Sequence, residues 1–173
     1  MEPADGVTAC RLESQRLVLE PLRPEHAEEL APVLDDVSLH RFIGGGPAGV
    51  EELRARFERQ ARGWSADGRD RWLGWVVRER RGRRGVGTVQ ATVTSSESGV
   101  VAELAWVIGS LHQRQGFAKE AVGVTAEWLR SRGVQCLRAH IHPGHDASIA
   151  VARSIGLRPT GAMVDGEVRW GCW

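Results

Sequence analysis

A chain of 173 residues is the size of one domain with a sizeable core, expected here to span 1–173. Its 42% apolar and 26% charged residues exclude a disordered chain and a membrane-embedded one. With 23 basic against 22 acidic side chains, the net charge of +1 gives bulk electrostatics no part in recruiting nucleic acid.

The first strand signal is Arg16 to Pro21, where Leu17, Val18 and Leu19 cluster. Pro24 suits the first turn of a helix over Glu25 to Leu34, with Ala27, Leu30, Ala31 and Leu34 on one face. Gly44, Gly45, Gly46 and Pro47 then break the chain, and the loop from Phe42 to Gly49 reads as a mobile wall or lid. A second helical pattern, Glu51 to Arg62, repeats Leu53, Phe57 and Ala61. Trp72 to Val77 and Val86 to Thr94 are strand-like, and Arg78 to Arg84 between them reads as a solvated hairpin tip around Gly82. Val100 to Ile108 is another strand.

The pattern then changes to helix, strand, helix. Ala118, Ala121, Val122, Thr125 and Leu129 share a helical face that Gly133 ends. Leu137, Ala139 and Ile141 alternate in a strand, and Asp146 caps a helix running to Ile155. Asp165-Gly166 between Met163 and Val168 is a hairpin signal. The order β-α-α-β-β-β-α-β-α-β-β predicts an α/β fold, a mixed sheet flanked by helices.

The longest uncharged apolar stretches, such as Leu104 to Ile108, fall far short of the ~20 residues of a bilayer span, so no membrane partner is expected. Early acids (Glu2, Asp5) and the lack of a continuous apolar N-terminal segment point to the cytoplasm. Cys10, Cys136 and Cys172 are odd in number and widely spaced, which reads as reduced thiols. Lys119 is the single lysine, and there is no tyrosine and no asparagine. Mechanisms that need a tyrosine acid or an asparagine clamp are therefore excluded.

Glu103 to Lys119 carries the chemistry. A strand runs into a short polar loop, and Gly116 opens a helix. A helix N-terminus presents unpaired N–H groups and the positive end of the macrodipole. Gly116 and Ala118 leave the backbone approachable, while Arg114 and Lys119 add charge. Physics alone predicts an anion site, best suited to a diphosphate. Glu103 is a carboxylate within an otherwise apolar strand, on the face of Val101, Ala105 and Val107. Partial burial there would tune it as a general base; pairing with an arginine from a neighbouring strand is the alternative. His140, His142 and His145 lack a cysteine or acidic partner at ligand spacing, so no metal is expected.

Gln113-Arg114-Gln115-Gly116-Phe117-Ala118 fits the acyl-coenzyme-A pattern Gln/Arg-x-x-Gly-x-Gly/Ala, between the strand AELAWVIG and a helix beginning AKEAV. Downstream, Asp146 to Ala152 leads into Ile155-Gly156-Leu157. The sequence resembles the GNAT N-acetyltransferase superfamily over essentially its whole length. The likeness is nearest the branch that acetylates ribosomal-protein N-termini and related small amines. The resemblance implies a mostly antiparallel sheet splayed at its central strands, with acetyl-CoA as cosubstrate. It places Trp106, Val107, Ile108 and Gly109 along the pantetheine arm. The N–H groups from Gln113 to Ala118 (Gln113, Arg114, Gln115, Gly116, Phe117, Ala118), with Lys119, would cradle the pyrophosphate. Glu103 takes the base position. His145 stands where the family has asparagine, and Ser148 where a hydroxyl reaches the coenzyme sulfur; Ser148 or water would protonate the thiolate.

These residues imply direct acetyl transfer from the thioester to a primary amine, on a peptide N-terminus or a small molecule such as an antibiotic. The lack of a cysteine at a helix N-terminus or in a basic pocket argues against an acyl-enzyme. A non-catalytic acyl-CoA-binding module is the alternative, and Glu103 favours the enzyme. A nucleic-acid binder using Arg78 to Arg84 would show salt-sensitive affinity. Monomer and homodimer are both open, an apolar edge at Val168 to Trp173 suiting the second.

Overall fold

The computed structural model describes residues 6–43 and 46–172. The elements are β1 (Leu12–Glu13), β2 (Leu17–Pro21), α1 (His26–Leu34), α2 (His40–Ile43), α3 (Val50–Ala61), β3 (Asp70–Glu79), β4 (Gly85–Ser96), β5 (Gly99–Ile108), α4 (Phe117–Ser131), β6 (Cys136–Ile141), α5 (Asp146–Ser154), β7 (Arg158–Val164) and β8 (Glu167–Gly171). Short 3-10 turns at Val37–Leu39 and Ser110–His112 precede α2 and the loop before α4. Among the described residues the strands form one sheet of eight, ordered β1-β2-β3-β4-β5-β6-β8-β7. Every pairing is antiparallel except β5 with β6.

That exception shapes the molecule. The parallel pairing joins only Val101, Ala102 and Glu103 to Cys136, Leu137 and Arg138, after which the strands diverge. Val100 offers its carbonyl to the Gln135 N–H on the β6 side, and Gly109 donates to Val86 on the β4 side. Main-chain groups alternate along a strand. Leu104, Trp106 and Ile108 therefore point theirs into the splay, without a strand partner.

Alternation also divides the core. Leu17, Leu19, Trp75, Val77, Val89, Ala102 and Leu104 face α4 and α5, meeting Val122, Leu129 and Val151. On the other face Val76 and Leu22 pack under α1 and α3 with Leu30, Leu53 and Phe57. Helices on both faces make the middle of β3 a continuous buried run, Leu73 to Val77. Trp75 satisfies its buried indole by donating to the Cys10 carbonyl at 2.8 Å.

Several expectations change. β1 and α2 are too short to leave a periodic signal. Arg78 is not part of a solvated tip: its guanidinium donates to both Glu29 oxygens at 2.6 and 3.0 Å, tying the hairpin to α1. Cys136 and Cys172 are joined as a disulfide, so the three cysteines are not all free; antiparallel β6 and β8 bring them together. Cys10 remains free. Of the segment expected to form an apolar edge, Val168 to Gly171 is no edge, because β8 lies between β6 and β7 and Trp170 is buried. Trp173, Gly44 and Gly45 lie outside the described residues. Among the described residues no helix is long and apolar enough to cross a membrane.

His26, buried at the start of α1, accepts the Arg23 N–H on Nδ1 at 3.1 Å. Burial, reinforced by Arg23 and Arg78, pushes its pKa below the ordinary 6.5. A depressed folded pKa leaves stability intact above the unfolded value and removes it as pH falls below that value. The urea midpoint is expected to drop between about pH 7.5 and 5.5, and less so in His26→Gln. A pH-independent midpoint in the wild type would contradict this.

Candidate active site

The loop between β5 and α4 is built for exposed main-chain donors. Arg114 and Gly116 both take positive φ, 61° and 80°, which turns the chain into α4. The Gln113 side chain donates to the Ile108 carbonyl at 2.9 Å, folding the loop back onto the strand end. The first i to i−4 bond after the loop joins the Glu120 N–H to the Gly116 carbonyl. The N–H groups of residues 114–119 lie ahead of it and have no partner within the helix. Phe117 turns its ring into the core, so it offers only its backbone, while Arg114, Gln115 and Lys119 are exposed around the cradle.

Sequence reasoning missed Arg16. Its guanidinium donates to the Gln115 carbonyl at 2.8 Å, pairs with Glu120 at 2.7 Å and lies 4.9 Å over the Phe117 ring. A Cβ on Gly116 would sit 3.2 Å from the same guanidinium. Burial alone would raise the Glu120 pKa, but hydrogen bonds from Ser14 and from the Arg16 main chain and side chain outweigh it and hold the carboxyl below its usual range. Glu120 thus stays charged and fixes Arg16 beside the cradle. The contact spans 99 residues, so no local pattern announces it.

Across the splay, His145 caps α5: its Nδ1 accepts the Ser148 N–H at 3.4 Å, and Ser148 Oγ lies 3.2 Å from Nε2. Burial, then His142, pushes the His145 pKa down and keeps the ring neutral. Phe42 of α2 stacks on His145 and His142 at centroid distances of 4.6 and 5.2 Å. Among the described residues no three His, Cys, Asp or Glu side chains gather as metal ligands.

The structure separates the expected pantetheine residues by direction. Trp106 and Ile108 present main-chain groups to the splay, whereas Val107 and Gly109 turn theirs toward β4. The Trp106 ring packs against the core on the α4 face, beside Leu104. It therefore does not line the opposite face, where Glu103 projects.

Glu103 stands at the point of divergence. Its side chain is 52% exposed, and although Arg138 stands opposite it on β6, its carboxylate pairs with a histidine rather than with that arginine. His140 Nδ1 lies 3.1 Å from the carboxylate, and Arg169 donates to His140 Nε2 at 3.3 Å. A neutral ring that accepts on Nε2 carries its proton on Nδ1, facing Glu103. In the other direction Glu103 sits opposite Thr92, and Thr92 opposite Trp72, in one row across the face. This row enters a cleft of about 210 Å³ between α3 and the sheet, lined by Arg56, Arg59, Gln60, Trp72, Gln90 and Thr92. A larger cavity of about 350 Å³, beside β2 and the β3–β4 hairpin, lies several strands from the splay.

Known structures share this fold. Superposition on a GNAT-family acetyltransferase from Bacillus anthracis gives a TM-score of 0.73 at 16% identity, covering 93% of this chain and 95% of that one. RimL, a ribosomal-protein α-N-acetyltransferase in complex with coenzyme A, gives 0.75 at 15%, covering 93% and 96%. The microcin self-immunity acetyltransferase MccE, in complex with acetyl-CoA and AMP, gives 0.74 at 13%, covering 91% and 92%. No curated protein matches the chain. The family model of the acetyltransferase (GNAT) domain matches residues 16–158, and with the splayed sheet and the cradle before α4 this makes the chain a member of the GNAT acetyltransferase family.

Proposed function

We propose that this protein transfers an acetyl group from acetyl-CoA directly to a primary amine, on a peptide N-terminus or a small molecule. The observation that carries the reading is the unpaired β5 edge running straight into the free N–H groups ahead of α4. An extended pantetheine arm supplies strand-like donors and acceptors to Trp106 and Ile108, and a pyrophosphate suits the cradle with Arg16, Arg114 and Lys119 around it. RimL, named for the α-amine of ribosomal L7/L12, and MccE, named for microcin C7 self-immunity, support keeping both a peptide and a small-molecule acceptor in the reading.

The amine nitrogen attacks the thioester carbonyl carbon, the carbon–sulfur bond breaks and the thiolate leaves. Glu103, directly or through a water, takes the proton the amine sheds. His140 holds one carboxylate oxygen through Nδ1–H and leaves the other free for that proton. Ser148 Oγ or water returns a proton to the sulfur, whose ordinary thiol pKa of ~8.5 makes this step undemanding. With Nδ1 taken by the Ser148 N–H, neutral His145 carries its proton on Nε2 and can donate it to Ser148 Oγ, orienting the hydroxyl.

Thiol release from acetyl-CoA, measured against a panel of free amines and short peptides, tests the reading. Acceptor-dependent release together with a mass gain of one acetyl group is expected. Coenzyme binding without turnover on any acceptor would make the protein a binding module instead.

A further inference from the structure

We infer that the acceptor carries an anionic group, a carboxylate or a phosphate, and that Arg56 and Arg59 select it; the inference rests on the acetyl-transfer reading and names its substrate class. Arg56, Arg59 and Gln60 recur at i, i+3 and i+4 on α3, so they share one side of the helix. Leu53 and Phe57, buried under the neighbouring side, fix the helix on the sheet and hold that row over the cleft.

Three other arginines nearby are already engaged. Arg54 pairs with Glu28 and Glu51, Arg78 with Glu29, and Arg71 donates to Thr8 and the Val7 carbonyl while lying over Trp64. Among the described residues the Arg56 and Arg59 side chains have neither an ion pair nor a hydrogen bond. Two unneutralised guanidiniums on one cleft wall are a fork for a planar or tetrahedral anion. Beside them the Gln60 Oε1 atom is buried with no hydrogen-bond partner. A buried acceptor left unmet is costly, and an amide or amine N–H of the acceptor molecule would meet it.

Geometry ties this wall to the chemistry. Trp72, Thr92 and Glu103 stand opposite one another on successive strands. Strands are ~4.8 Å apart, so the anion would sit about 5–10 Å from an amine placed at Glu103. That separation fits an acidic side chain one or two residues after a free N-terminus, or a phosphate on a short aminoalkyl arm. A cationic or wholly apolar acceptor would leave both arginines facing its surface without a partner.

The test uses the full chain with acetyl-CoA and peptides identical except for Asp, Asn or Lys at the second position. A phosphoserine-for-serine pair separates phosphate from carboxylate. The Asp peptide is expected to exceed the Asn peptide by about ten-fold or more in kcat/KM, chiefly through KM, with the Lys peptide poorest. Arg56→Gln and Arg59→Gln should each collapse the Asp/Asn ratio toward one. Arg59→Glu should shift preference toward the Lys peptide, a gain that an unfolded variant cannot produce. Turnover with no preference for the anionic peptide, or a ratio that survives in the variants, overturns this inference alone. Absence of turnover with every amine overturns the acetyl-transfer reading and this inference with it.

Discussion

Glu103→Gln is expected to lower kcat/KM for a lysine-like amine by about 100-fold or more at neutral pH, and for an α-amine by distinctly less. The difference follows from the acceptor. An amine of pKa ~10.4 is about 0.1% neutral near pH 7.4, a deficit of roughly 4 kcal/mol, whereas an α-amine near 8 lacks under ~1 kcal/mol. A base matters in proportion. Glutamine preserves an oxygen for His140 Nδ1–H but cannot take a proton, so the variant separates the base from the scaffold around it. Its pH–rate profile should lose the acid limb due to the carboxylate and keep the acceptor's own titration. The deficit should narrow as pH approaches the amine pKa. An unchanged rate with a lysine-like acceptor removes Glu103 from the mechanism.

Gly116→Glu is expected to weaken acetyl-CoA binding by about 100-fold, because like charge set against a diphosphate costs several kcal/mol. The new Cβ would stand 3.2 Å from the Arg16 guanidinium, and its carboxylate would pair there, placing a resident anion where the ligand's must go. The backbone contributes separately: φ of 80° suits glycine, and an L side chain there costs about 1 kcal/mol. Gly116→Asn tolerates that conformation without charge, so it should lose far less affinity than the glutamate. Calorimetry on both variants distinguishes the contributions. Normal coenzyme affinity in Gly116→Glu would place the pyrophosphate elsewhere.

What could be read from the sequence was what is contiguous in it. The stripe Ala121, Val122, Thr125 and Leu129 lies buried along α4 as its spacing requires, and Asp165-Gly166 turns with positive φ at both residues. The cradle from Gln113 to Lys119 was legible for the same reason, since main-chain donors at a helix start need no partner from elsewhere. Glu103 was expected to be partly buried because its strand is apolar. Yet α1 and α3 pack over β3 and β4, leaving the corresponding face of β5 open. Arg16 beside Gly116, His140 beside Glu103 and the Arg56–Arg59 wall over Trp72 all depend on sheet register and helix docking. Neither property exists until distant segments meet. The direction of Trp106 turned on a parity that only the pairing of β4 with β5 establishes.

The short parallel contact between β5 and β6 also governs cohesion. Two portions of one sheet, β1 to β5 and β6 with β8 and β7, adjoin through three residue pairs and are otherwise bridged by α4 and α5. A coenzyme lying along the vacant edge would act as a partial ninth strand, so donor occupancy and the grip between the two portions become one thermodynamic quantity. At a hundred times its dissociation constant such a ligand contributes about 2.7 kcal/mol to the folded state. A donor bound there would stiffen the seam beside Glu103, so the melting temperature of the whole sheet would rise with its concentration.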